Sequence, residues 1–163
     1  MRPLFQTVSM ACCSLALLSL TQCGGSSSDA KGNAPETLNN TTMSIQTGII
    51  DGDISEIPNI FEVTVSGSQV ALTTKGANIP VWNGQGTVMY FKTAHNTGSL
   101  SISWIQGTPA RTTAYTLSIP DLTFESTNHG VSGDQGAIIS YRPADGAQVA
   151  LPATTADVTV TYL

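Results

Sequence analysis

The run Leu100-Ser-Ile-Ser-Trp104 places Leu100, Ile102 and Trp104 on one side of an extended chain and two hydroxyls on the other. Phe61-Glu-Val-Thr-Val65 obeys the same rule, as do Tyr115-Thr-Leu-Ser-Ile119 and Val158-Thr-Val-Thr-Tyr162. A period of two with one apolar and one solvated face predicts antiparallel sheet, because strands buried on both sides are apolar throughout. Working outward from these four runs, further strands are expected at 43–50, 69–74, 86–93, 122–126 and 136–142. Turn signals separate them, among them Ser66-Gly67-Ser68, Asn96-Thr-Gly98, Asn128-His-Gly130 and Ser132-Gly-Asp134. Ile79-Pro80 and Ile119-Pro120 mark a strand end or edge, since proline has no N–H for the ladder.

About eight to ten short strands without a helical period give an all-β fold, an antiparallel β-sandwich or barrel. Its core is expected from Phe61, Val63, Val88, Tyr90, Leu100, Ile102, Trp104, Leu117, Phe124, Ile139 and Val160.

Composition agrees with this reading and narrows the function. Of 163 residues only 10% are charged and 40% are hydrophobic, which suits strands and turns better than helices. Once Arg2 is set aside, five basic side chains face eleven acidic ones, a net −6 with histidine neutral. Such a chain repels phosphate backbones, so nucleic acid is excluded as an expected partner. The three cysteines, Cys12, Cys13 and Cys23, all precede the strands, so no disulfide is expected in the domain.

The first residues read as an address. Arg2 precedes an apolar run, Val8 to Leu20, that has signal-peptide length and is too short for a membrane span of roughly 20 residues. Leu20-Thr21-Gln22-Cys23-Gly24 resembles the lipobox of bacterial lipoproteins, with Gln22 where that family usually carries Gly, Ala or Ser. The resemblance implies a diacylglycerol on Cys23, cleavage before it and acylation of the new amine. Gly24 after Cys23 resembles lipoproteins sent to the outer membrane of a Gram-negative cell. Plain secretion is the rival, but it wants a small-residue cleavage site that does not follow Leu20. The chain thus divides into a signal peptide (1–22), a lipidated cysteine with a flexible tether (23–41) and a β domain (42–163).

Chemistry-bearing motifs are sparse. Asp51-Gly-Asp-Ile-Ser-Glu56 begins like a calcium loop, and Asp51, Asp53 and Glu56 form a candidate Ca²⁺ site. Glu56 nevertheless occupies the sixth position, where the sharp turn wants glycine, so a polar loop between strands is the rival reading. His95 and His129 lie in turn-like sequence, without a G-x-S-x-G elbow or a convergent nucleophile. Asp121 and Glu125 share one side of an extended segment, which leaves no facing pair for glycoside hydrolysis. Trp82 is a candidate ligand-stacking residue; the competing reading makes it a cap on the core.

The stretch Tyr115 to Phe124 followed by Gly130-Val-Ser-Gly-Asp-Gln-Gly-Ala-Ile-Ile139 is similar to the C-terminal part of siphophage tail tube proteins. That resemblance implies a domain that assembles through its sheets. The function expected from the sequence is therefore a non-enzymatic, lipid-anchored binding or structural module at the cell envelope, facing an envelope protein or a glycan. A glycan-active enzyme using acidic residues and a self-assembling surface subunit are the alternatives.

Overall fold

The computed structural model describes residues 32–48, 57–76, 79–108, 111–144, 146–153 and 155–163. Ten strands follow one another: β1 (Thr41–Thr47), β2 (Ile60–Ser66), β3 (Gln69–Lys75), β4 (Trp82–Lys92) and β5 (Thr97–Thr108), then β6 (Arg111–Ser126), β7 (His129–Ser132), β8 (Ala137–Pro143), β9 (Val149–Ala153) and β10 (Ala156–Tyr162). Neighbours run in the order β5-β4-β3-β2-β1-β10-β7-β6, and β6 pairs back onto β5. Eight antiparallel strands therefore close a barrel, and β8 and β9 continue from β6 as two extra strands.

Alternation decides which face turns inward. Phe61, Val63 and Val65 of β2 are buried while Glu62, Thr64 and Ser66 are exposed. Register then aligns the buried positions into rows, such as Val160, Met43, Val63 and Leu72 across β10, β1, β2 and β3. An eight-stranded barrel is just wide enough for side chains to fill it. Phe61, Leu100, Ile102 and Leu117 do so, each 0% exposed. Every expected core residue joins this cluster, with Tyr90 half-buried at its edge. Apolar-in and hydroxyl-out is the reverse of a membrane-spanning barrel, whose outer band is apolar.

Of the two expectations for Pro120, a strand end or an edge, β6 excludes the first and keeps the second. It runs for 16 residues straight through Ile119-Pro120. One edge pairs with β8 up to Ser118↔Ile138 and with β7 only from Leu122↔Ser132, so Pro120 lies in the gap between two partners and breaks no ladder there. The β5 side carries a register shift at the same level, between Gly98 and Leu100.

The Asn128-His-Gly130 and Ser132-Gly-Asp134 signals also differ from a simple turn, since the four residues His129–Ser132 form β7, wedged between β6 and β10. Past Gly86↔Trp104, β4 parts from β5, and the distal halves of β5 and β6 carry β8 and β9 into a four-stranded flap. Gly86 is needed at the fork: a Cβ there would lie 2.4 Å from the Ser103 carbonyl oxygen. An aromatic ladder ties the flap to the barrel, with Trp104 stacked on Tyr115 at 5.2 Å, Tyr115 against Tyr141 at 6.0 Å and Phe61 edge-on to Trp104 at 5.6 Å. Each such pair adds about 0.5–1.5 kcal/mol beyond area burial.

The last part of the expected tether, 32–40, is folded against the barrel. Asn33 donates its backbone N–H to Asn96 Oδ1 at 2.8 Å and its side-chain amide to the Glu125 carbonyl at 2.9 Å. Ala34 donates to the His95 carbonyl, and the Tyr90 hydroxyl donates to the Pro35 carbonyl at 3.0 Å. Ala34 and Leu38 are buried in the core cluster, so this strap belongs to the same end of the barrel as the β4–β5 turn. It enters β1 through Asn40, whose φ of 57° is a left-handed conformation that asparagine tolerates.

Candidate functional site

Because the barrel interior is filled by its own side chains, the places open to a ligand lie on the outer wall. One of them is a groove of about 570 Å³ across β10, β1, β2, β3 and β4. Strand alternation sends hydroxyls outward, and register sets them side by side in two rows. One row is Thr161, Thr42 and Thr64; the other is Thr159, Ser44, Glu62, Thr73 and Asn83. The Thr73 hydroxyl donates to Asn83 Oδ1 at 2.6 Å, which fixes that amide's orientation. Glu62 is bound by Lys75 at 2.6 Å, with both side chains partly exposed, so the groove carries a compensated charge pair amid neutral hydroxyls.

Around the wall a further row, Thr87, Ser103, Thr116 and Ser140, crosses β4, β5, β6 and β8, with Ser103 and Thr116 hydrogen-bonded at 3.1 Å. It borders a shallower hollow of about 400 Å³ with Ile105 and Ala114 on its more apolar side. Hydroxyl rows of this kind donate and accept along a line without desolvating isolated charges, which suits an extended polar ligand better than an ionic one.

The residues singled out by sequence are scattered. Cys23, Asp51, Asp53 and Glu56 lie outside the described residues. Trp82 opens β4 opposite Thr74, half-buried and packed against the core; a Cβ on Gly84 would lie 2.2 Å from its ring, so glycine there makes room for the indole. Glu62, the next acidic residue after Glu56, belongs to β2 and is paired with Lys75. Among the described residues no group of three His, Cys, Asp or Glu side chains is arranged to hold a metal. His95 lies exposed in the β4–β5 turn and serves the strap through its carbonyl. The Asp121 carbonyl accepts from Gly133 N–H, while Glu125 on the same strand engages His129.

His129 is held between two carboxylates, with Nε2 3.0 Å from Asp157 Oδ2 and Nδ1 3.2 Å from Glu125 Oε2. The hydrogen bond to Asp157 raises its pKa above the usual histidine value, helped by the negative charges of Asp157 and Glu125. Only the imidazolium donates from both nitrogens. A raised folded-state pKa contributes stability that is complete below the unfolded value of about 6.5 and disappears as pH rises through the folded value. Wild type should therefore exceed His129→Gln in stability at pH 6 and lose that margin by pH 9. Paired urea melts at the two pH values check this, and a margin that grows with pH contradicts it.

Tyr90, under the strap, is pushed up to about 12, chiefly by burial and then by Tyr162 and Glu36 nearby, so it stays a neutral donor to Pro35. The hydroxyl rows escaped sequence reasoning: alternation showed that these threonines face outward, but only register brings them into line. Comparison of the chain with family models, with curated proteins and with solved structures finds no match.

Proposed function

We propose that the protein is a lipid-anchored binding module of the cell envelope, held at a membrane through Cys23 and engaging a glycan along the hydroxyl-lined outer groove. The observation that carries the binding half is the pairing of a side-chain-filled interior with a wall that holds a groove lined by Thr42, Ser44, Thr64, Thr73, Thr159 and Thr161. A filled barrel cannot act as a carrier that encloses its ligand, so recognition falls to the outside. Sugar chains are matched by rows of groups that both donate and accept, and a rigid sheet presents them without a large ordering cost. The anchor half rests on the lipobox-like Leu20-Thr21-Gln22-Cys23.

Sedimentation of the mature protein with isolated peptidoglycan tests the groove. Thr64→Arg fills its centre, whereas Ser101→Arg on β5 places the same charge outside it. Wild type and Ser101→Arg should co-sediment alike, and Thr64→Arg should bind at least about tenfold more weakly, a loss of about 1.4 kcal/mol. Equal binding by Thr64→Arg, or none by wild type, rejects the groove as the site for this polymer.

A further inference from the structure

The strap fixes where the chain leaves the domain. Asn33 and Ala34 are bonded to Asn96 and His95 of the β4–β5 turn, so the segment leading back toward Cys23 departs beside that turn. Eight residues lie between Cys23 and Gly32, a span of nine Cα–Cα steps. Even fully extended they reach no farther than about 30 Å. With Cys23 acylated, this end of the barrel is confined to the neighbourhood of the bilayer, whatever else the domain touches.

That same end carries an unusual piece of wall. Outward positions on β5 opposite the end of β4 are hydroxyls, Ser99 and Ser101, yet their partners Phe91 and Met89 are large, apolar and 60% and 59% exposed. They stand two residues apart on one strand, hence side by side on one face, and Phe91 is four residues from His95. The flanking charge, Lys92, is neutralised by Glu36 at 2.7 Å, so little unpaired charge would have to be desolvated beside them. The exposed C-terminal Leu163 is bonded to Asn40 of the strap, adding a further apolar side chain to this end. Ile105, comparably exposed, lies at the opposite end on the flap.

We propose that the strap end of the barrel rests on the bilayer surface with Met89 and Phe91 in the interfacial layer, which turns the flap away from the membrane. The inference depends on acylation of Cys23. Tethering supplies the high local concentration that two apolar side chains alone would not, and the pair then sets orientation rather than attachment.

Removal of the signal peptide takes away Cys12 and Cys13, and acylation blocks Cys23, so an introduced cysteine is a unique site for an environment-sensitive dye. Full-length lipidated Phe91→Cys, Met89→Cys and Ile105→Cys are labelled and reconstituted in phosphatidylcholine vesicles, with or without brominated acyl chains. The dye at 91 or 89 should shift to the blue and be quenched by bromine, while the dye at 105 should behave as in water. A protein that floats with the vesicles but shows no difference between these positions overturns the orientation and leaves the anchor standing. A protein that does not float and carries no acyl mass overturns the anchor and, with it, this inference.

Discussion

Replacing Phe61 by alanine is expected to destabilise the domain by about 3–5 kcal/mol, the range for removing a fully buried aromatic ring. Phe61 is 0% exposed, lies opposite Ile45 on β1 and Thr74 on β3, and meets Trp104 edge-on across the barrel. The ring therefore links the β1–β3 wall to the aromatic ladder that holds the flap. No cysteine lies beyond Cys23, so no disulfide limits the loss. Against a total of roughly 5–15 kcal/mol for ordinary domains, this is a large fraction. Urea unfolding followed by tryptophan fluorescence measures it; a change under about 1 kcal/mol, small for any core truncation, would mean that the barrel interior is not packed as described.

Leu38→Ala should cost about 2–5 kcal/mol, although Leu38 precedes the first strand. Its side chain is 2% exposed and joins the core cluster beside Ala34, while the surrounding strap is bonded to the β2 strand end, the β4–β5 turn and Tyr90. A tether without packing would tolerate the change within about 0.5 kcal/mol, as surface positions do. The same melt separates the two, and an unaltered midpoint would return residues 32–40 to the role of plain linker.

The strands that alternate strictly were legible because the inside-outside pattern is a local property. Leu100 to Trp104, Phe61 to Val65 and Val158 to Val160 fall in strands with the expected faces inward, whereas Tyr162, expected inward by the same alternation, is 52% exposed at the end of β10 and donates its hydroxyl to the Thr127 carbonyl. Less was visible where local chemistry and tertiary pairing disagree. Asn128-His-Gly130 carries turn residues, yet β7 forms because β6 and β10 offer edges on either side. Val149-Ala-Leu-Pro-Ala153 contains a proline and lacks alternation, yet as β9 it has only β8 to pair with among the described strands, where a missing N–H is tolerated. The Gly, Asn and Pro content of the strap is that of a linker, and nothing local signals that Ala34 and Leu38 have a core to enter.

Closure and the hydroxyl rows were illegible for one shared reason. Both depend on register between strands distant in the chain, such as β1 with β10, and a single sequence carries no direct record of it. Thr42, Thr64 and Thr161 were each readable as outward-facing; their side-by-side arrangement was not.

The most direct test of an anchored binding module is the mass of the intact protein extracted from membranes of the cell that makes it. The account predicts a chain starting at Cys23, heavier than its sequence by a thioether-linked diacylglycerol and an amide-linked fatty acid, with both additions absent from Cys23→Ser. A chain that begins at Met1 and carries no lipid would contradict it.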